Sequence, residues 1–124
     1  MFHPFYLLLV LILSFNSSCT KEKKQENYNP ELSSKMVKEG ALLIDVRTVG
    51  EYKSGHVKGA VNIPHKEIFS KKNIIEQLTK NDKKTPIVLY CKSGGRASVA
   101  QKTLKNLGYE KVINHGGMST WKKD

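Results

Sequence analysis

The sequence predicts an α/β domain with a mostly parallel central sheet flanked by helices, and three observations predict it. Two apolar runs, Ala41-Leu42-Leu43-Ile44-Asp45-Val46 and Pro86-Ile87-Val88-Leu89-Tyr90-Cys91, read as strands buried on both faces, as in a sheet covered on both sides. Segments of helical periodicity alternate with strand segments along the chain. The length of 124 residues, without internal repeats, allows one domain.

The elements follow in order. Asn29 at N-cap and Pro30 at the first helical position open a short helix whose apolar positions are Leu32, Met36 and Val37, and Gly40 stops it. The first buried strand spans residues 41–46. Thr48 to Ser54 is a short polar helix or turn ended by Gly55, and Val61-Asn62-Ile63 is a short strand stopped by Pro64. Ile68 to Lys80 is expected to be helical, with Ile74, Ile75 and Leu78 on its buried face. Residues 81–85 form a loop, and Pro86 opens the second buried strand at a position where proline is tolerated. Ala97, Ala100, Leu104 and Leu107 stand at i, i+3, i+7 and i+10, an amphipathic helix capped by Gly108. Lys111 to Asn114 is a further short strand, after which Gly116-Gly117 turns into a last short helix carrying Trp121.

The N-terminus has a different character. Phe5 to Leu13 is an unbroken apolar run, too short for a bilayer-spanning helix, which needs ~20 residues, and suited to the core of a secretory signal peptide. Ser17 and Ser18 then precede Cys19, as at a bacterial lipoprotein processing site. The expected organisation is a signal peptide over residues 1–18, a lipidated Cys19 opening a polar tether over 19–28, and the folded domain over 29–124. The chain is thereby expected on the periplasmic or cell-surface side of a bacterial membrane, held there through its lipid anchor. Net charge is +10, and residues 1–19 contain no Lys, Arg, Asp or Glu, so the whole excess lies beyond them. Such a charge suits anionic partners. Nucleic acid is not expected, because no basic run is interleaved with aromatics and no recognition-helix pattern is present.

Cys91 ends the most apolar strand, and ligands of open parallel sheets bind beyond the carboxyl ends of strands. Lys92, Ser93, Gly94, Gly95 and Arg96 follow it and lead into a helix. The glycines permit backbone conformations closed to other residues, so that successive N–H groups can converge into an anion nest backed by the helix N-terminus. Lys92 and Arg96 add full charges, and Arg can grip an oxyanion with two parallel bonds. A cysteine in such a cradle is a nucleophile suited to anionic substrates. The plainer reading is an inert cysteine ending a strand. The two glycines and an arginine ahead of an Ala-rich helix favour the functional one.

At these residues the chain resembles the rhodanese family. Cys91, Gly94 and Arg96 match its Cys-x-x-Gly-x-Arg loop. Further matches are Asp45-Val46-Arg47, Glu51-Tyr52, Gly55-His56-Val57-Lys58-Gly59-Ala60 and Asn62-Ile63-Pro64, with Gly116-Gly117 and Trp121 toward the C-terminus. The resemblance covers roughly residues 29–122. It implies a three-layer rhodanese-like fold and a sulfurtransferase. Cys91 would take the sulfane sulfur of a small anionic donor such as thiosulfate, become a persulfide, and pass the sulfur to cyanide or a cellular thiol. Lys92 and Arg96 would bind the donor, and the N–H groups of Ser93, Gly94 and Gly95 would cradle the terminal sulfur. No metal or organic cofactor is implied, and His3, His65 and His115 show no metal-ligand spacing.

Asp45, Arg47, Glu51 and His56 are expected to support the site rather than react in it. Arg47 and Glu51, four residues apart, would pair, and Asp45 and His56 would satisfy loop N–H groups. Competing functions are a phosphatase or arsenate reductase, whose relatives carry one more residue between Cys and Arg, a mercaptopyruvate sulfurtransferase, and a binding or sulfur-carrier module without catalysis.

Overall fold

The computed structural model describes residues 28–123. The expected signal peptide, Cys19 and all but the last residue of the tether lie outside them. Among the described residues no helix is long and apolar enough to cross a membrane.

Four strands form one sheet: β1 (Leu42–Asp45), β2 (Val61–Asn62), β3 (Ile87–Cys91) and β4 (Val112–Gly117). All neighbours run parallel, in the order β2-β1-β3-β4. The helices are α1 (Pro30–Lys38), α2 (Val49–Lys53), α3 (Lys72–Leu78) and α4 (Gly95–Asn106). The α/β architecture read from the sequence is the one observed.

All five residues of β3 are buried, because the sheet is covered on both faces. The period of two along a strand divides them. Ile87, Leu89 and Cys91 join Ile44, Val46 and Ile63 against Ile75 of α3 and Ala97, Ala100 and Leu104 of α4. Val88 and Tyr90 join Leu43 on the opposite face, against Met36 and Val37 of α1 and Trp121. Burying each large aliphatic side chain contributes about 1.5–3 kcal/mol. The methyl side chains at Ala97 and Ala100 let the first turns of α4 lie against the sheet, which brings its N-terminus to the end of β3.

Three expectations need correction. The helix expected over Ile68–Lys80 is a 3₁₀ turn at His65–Glu67 followed by the short α3. Its buried stripe is Ile68, Ile75 and Thr79, whereas Ile74 and Leu78 are each 43% exposed. The stripe at i, i+7 and i+11 won because Ile68 is already fixed under the sheet before α3 begins. In α1, Leu32 faces outward and Ser33 is buried in its place, since Ser33, Met36 and Val37 share the face that meets the sheet. Finally, Gly116 and Gly117 do not leave the sheet: they pair with Tyr90 and Cys91 at the end of β4. The register shifts between Leu89 and Tyr90, so that Asn114 and Gly116 oppose consecutive residues and His115 is the extra one. The last turn is a 3₁₀ helix, Met118–Thr120, just before Trp121.

Candidate functional site

The loop after β3 folds back on its own cysteine. Cys91 is 1% exposed, and the Gly94 N–H donates to its Sγ at 2.9 Å. Gly94 occupies the left-handed region at φ +98° and is the N-cap of α4, so the chain reverses at the residue whose N–H meets the sulfur. A side chain there would be strained. Asn114 holds this peptide from β4: its Nδ2 donates to the Gly94 carbonyl at 3.0 Å, and its Oδ1 accepts from Gly116 N–H at 2.8 Å. Cys91 Sγ is therefore a buried atom with a backbone donor aimed at it, at the N-terminal end of a helix of 12 residues. The donor and the open end of the helix thus converge on the one sulfur atom.

Two arginine–carboxylate pairs flank this loop. Arg96 does not stand open. Its Nη1 and Nη2 donate to Glu51 Oε1 and Oε2 at 2.6 and 3.0 Å, a two-point clasp between α4 and α2. Arg96 holds the Glu51 carboxyl well below the carboxylate range, at about 2, and Glu51 in turn raises the Arg96 guanidinium. Glu51 is also the acidic half of a capping box. Thr48 Oγ1 accepts from Glu51 N–H at 3.2 Å, and Glu51 Oε1 accepts from Thr48 N–H at 3.3 Å.

Arg47 makes the second pair, with Asp45. Its Nε and Nη2 donate to both carboxylate oxygens, the shortest bond being 2.7 Å, and Nη2 also donates to the Gly55 carbonyl at 2.7 Å. Tyr90 Oη donates to Asp45 Oδ2 at 2.7 Å and accepts from Val57 N–H at 3.0 Å. Burial, then the Asp45 carboxylate, pushes the Tyr90 phenol up, so it stays a neutral donor.

The rhodanese-like domain family matches residues 29–124. This chain belongs to that family.

Within it, the chain is similar to a thiosulfate sulfurtransferase, PspE of Escherichia coli, at 39% identity over 75 residues, 60% of this chain and 68% of that protein. It is also similar to YrkF of Bacillus subtilis, described as a candidate sulfur carrier protein, at 35% identity over 109 residues, or 87% of this chain. The chain spans 54% of the length of YrkF and 60% of that of a second B. subtilis relative, YqhL. Among solved structures it resembles an E. coli rhodanese determined with anions, with a TM-score of 0.60 at 33% identity, covering 68% of this chain and 94% of that one. The human single-domain sulfurtransferase TSTD1 gives a TM-score of 0.59 at 30% identity, covering 71% and 85%.

In this rhodanese-like domain the expected site residues divide. Cys91, Gly94, Gly95 and Arg96 gather at the end of β3, with Lys92 and Ser93 exposed on the outside of the loop. Of the three N–H groups expected in the cradle, that of Gly94 donates to sulfur. The expected Arg47–Glu51 pair does not form. Arg47 is taken by Asp45, two residues back and facing the same way from the strand end, which leaves Glu51 for Arg96. Asp45 does accept one loop N–H, that of Arg47 at 2.9 Å, but its main partners are Arg47 itself and Tyr90. His56 satisfies no N–H group: its Nδ1 lies 2.9 Å from the Tyr52 carbonyl, and its ring stacks on Tyr52 at 3.7 Å between centroids. A carbonyl partner makes that nitrogen the donor.

Sequence reasoning missed Tyr90, Asn114 and Tyr28. Tyr90 and Asn114 read as ordinary strand residues, and the available signal was their position beside Cys91 and Gly116. Tyr28 was expected within a solvated tether. Its ring instead lies against Gly94 and Gly116.

Proposed function

We propose that this domain is a thiosulfate sulfurtransferase working through a persulfide on Cys91. The observation that carries the proposal is the Gly94 N–H aimed at Cys91 Sγ at 2.9 Å, in a Cys-to-Arg loop of six residues. Cys91 thiolate attacks the outer sulfur of thiosulfate. A sulfur–sulfur bond forms at Cys91, the bond within thiosulfate breaks, and its electron pair leaves with sulfite. Cyanide carbon, or a thiolate, then attacks the terminal sulfur of the persulfide. Thiocyanate, or a new persulfide, departs, and Cys91 thiolate is restored. Neither step consumes an external oxidant or reductant.

The anionic donor needs a cation at the loop. Arg96 supplies it by exchanging its Glu51 oxygens for those of the donor, an exchange favoured because the clasp is part-exposed at 29% and 32% and is worth little in water. Lys92, exposed on the loop, draws the anion in without fixing it. The six-residue loop supports sulfur over phosphate, and the two charges at Lys92 and Arg96 support thiosulfate over mercaptopyruvate. Similarity to YrkF over most of this chain supports a second reading, in which a dedicated protein collects the persulfide sulfur. Steady-state assay of the chain with thiosulfate, mercaptopyruvate and an aryl phosphate separates these activities. Thiocyanate formation from thiosulfate is the expected result, and turnover of the aryl phosphate alone would overturn it.

The same reading extends to location: the domain works outside the cytoplasm, tethered by acyl chains on Cys19. The wild-type chain is expected to partition with membranes, and Cys19→Ala to fail normal maturation. A mature N-terminus elsewhere, without acyl chains, would contradict the anchor.

A further inference from the structure

The peptide that offers its N–H to Cys91 is gripped from two sides. On one, Asn114 Nδ2 holds the Gly94 carbonyl at 3.0 Å. On the other lies the ring of Tyr28. A Cβ placed on Gly94 would stand 2.6 Å from Tyr28 Cζ and 2.7 Å from its Oη, and one placed on Gly116 would stand 3.4 Å from Tyr28 Cγ. The ring thus runs from Gly116, under its root, to Gly94, under its tip. Both glycines have positive φ, +98° and +95°, and both are buried, while Tyr28 itself is 40% exposed. One aromatic face closes the seam between the cysteine loop and the end of β4. Asn114 closes the same seam by hydrogen bonds, with Gly116 N–H as its second partner at 2.8 Å.

We propose that Tyr28 is a positioning residue for the cysteine loop, bracing the Gly94 peptide so that its N–H stays on Cys91 sulfur. The glycines at 94 and 116 are needed twice: for their left-handed backbone and because a side chain would occupy the place of the ring. Without the ring, the Gly94 peptide keeps Asn114 on one side and solvent on the other. Its N–H then spends time away from sulfur, and the loop opens around a thiol that is otherwise 1% exposed. The role follows from Tyr28 reaching the loop from the segment that precedes α1, not from the family's loop residues. Its consequence for catalysis rests on the sulfur-transfer reading above; the bracing itself does not.

The experiment compares wild type, Tyr28→Ala and Tyr28→Phe in the full chain, with two measurements. The first is the rate of Cys91 alkylation by iodoacetamide at fixed pH, read by peptide mass so that Cys19 does not interfere. The second is the lifetime of the thiosulfate-loaded form without acceptor. Tyr28→Ala is expected to alkylate about fivefold faster or more, because an opened loop admits the reagent to a thiol that is 1% exposed when the loop is closed, and to lose its added sulfur correspondingly faster. Tyr28→Phe keeps the ring on both glycines and is expected to restore wild-type behaviour in both. Thermal melting of the three proteins should coincide within a few degrees, since Tyr28 lies at the edge of the domain. Alkylation of Tyr28→Ala within about twofold of wild type, or Tyr28→Phe behaving as Tyr28→Ala, would overturn the bracing role. A wild type that takes up no sulfur would overturn the sulfur-transfer reading while the alkylation comparison still decides the bracing.

Discussion

Arg47 and Arg96 each grip a carboxylate with two nitrogens, and the two pairs lie within one loop cluster, yet their settings differ. The Arg47–Asp45 pair is 7% and 0% exposed, carries Tyr90 Oη on the same carboxylate, and spends its spare donor on the Gly55 carbonyl. Arg96–Glu51 is 29% and 32% exposed and joins two helices at the mouth of the cysteine loop. Burial makes the first pair a strut: its bonds are held away from solvent, and breaking it leaves a charge without water. Partial exposure makes the second a clasp, which solvent or an incoming anion can replace. Pairing geometry is alike in the two; what differs is how much solvent reaches each pair.

The largest expected effect comes from breaking the strut. Asp45→Asn leaves Arg47 buried without its countercharge and is expected to cost about 3–5 kcal/mol of stability. Urea unfolding should show a lower midpoint at unchanged slope. An Asp45→Asn protein as stable as wild type would remove the distinction between the pairs. Next is the clasp's cation. Arg96→Ala is expected to lower kcat/KM for thiosulfate about tenfold to a hundredfold, the worth of a charge-assisted bond of roughly 1.5–3 kcal/mol, with a much smaller loss in Lys92→Ala. Equal small effects from both would mean that the loop does not bind the donor through Arg96.

Glu51→Gln probes the clasp from the carboxylate side. Removing the competitor for Arg96 should lower KM for thiosulfate by up to about fivefold, with a stability loss of at most about 1 kcal/mol. A raised KM would show that Glu51 serves the donor site by orienting Arg96 rather than by competing for it.

The smallest effect is the pH dependence. His115 is buried with Nδ1 2.5 Å from Ser33 Oγ and Nε2 3.1 Å from Thr120 Oγ1, and burial lowers its pKa from the ordinary 6.5. The folded state then resists a proton that the unfolded chain accepts, so its share of stability is present above about pH 6.5 and lost as pH falls below it. Glu51, lowered from 4.5 to about 2, contributes stability that is present above pH 4.5 and lost as pH falls toward 2. Melting temperature should therefore fall in two stages on acidification. His115→Gln should remove the upper stage and Glu51→Gln the lower.

How far the sequence was legible follows the same physics. The parallel sheet was readable because runs such as Ile87 to Cys91 have no charged residue to place in water on either face. The cysteine loop was readable because glycine and arginine sit at fixed offsets after Cys91. Pairing was not readable. Spacing i, i+4 put Glu51 within reach of Arg47, but strand geometry put Asp45 closer, and Arg96 came from an element 45 residues away. Tyr28 was unreadable for a related reason: nothing in a polar segment announces that its single ring will meet two glycines, one after β3 and one on β4. Contacts within one element are encoded locally, and contacts across the ends of a sheet are not.

Intact-protein mass spectrometry tells whether Cys91 is a sulfur-carrying nucleophile or a buried strand residue. Thiosulfate alone is expected to yield a form heavier by one sulfur atom on Cys91. Cyanide should return it to the starting mass with release of thiocyanate, and Cys91→Ser should do neither while keeping its fold. No mass gain in the wild type with any sulfur donor, or thiocyanate still formed by Cys91→Ser, would contradict the account.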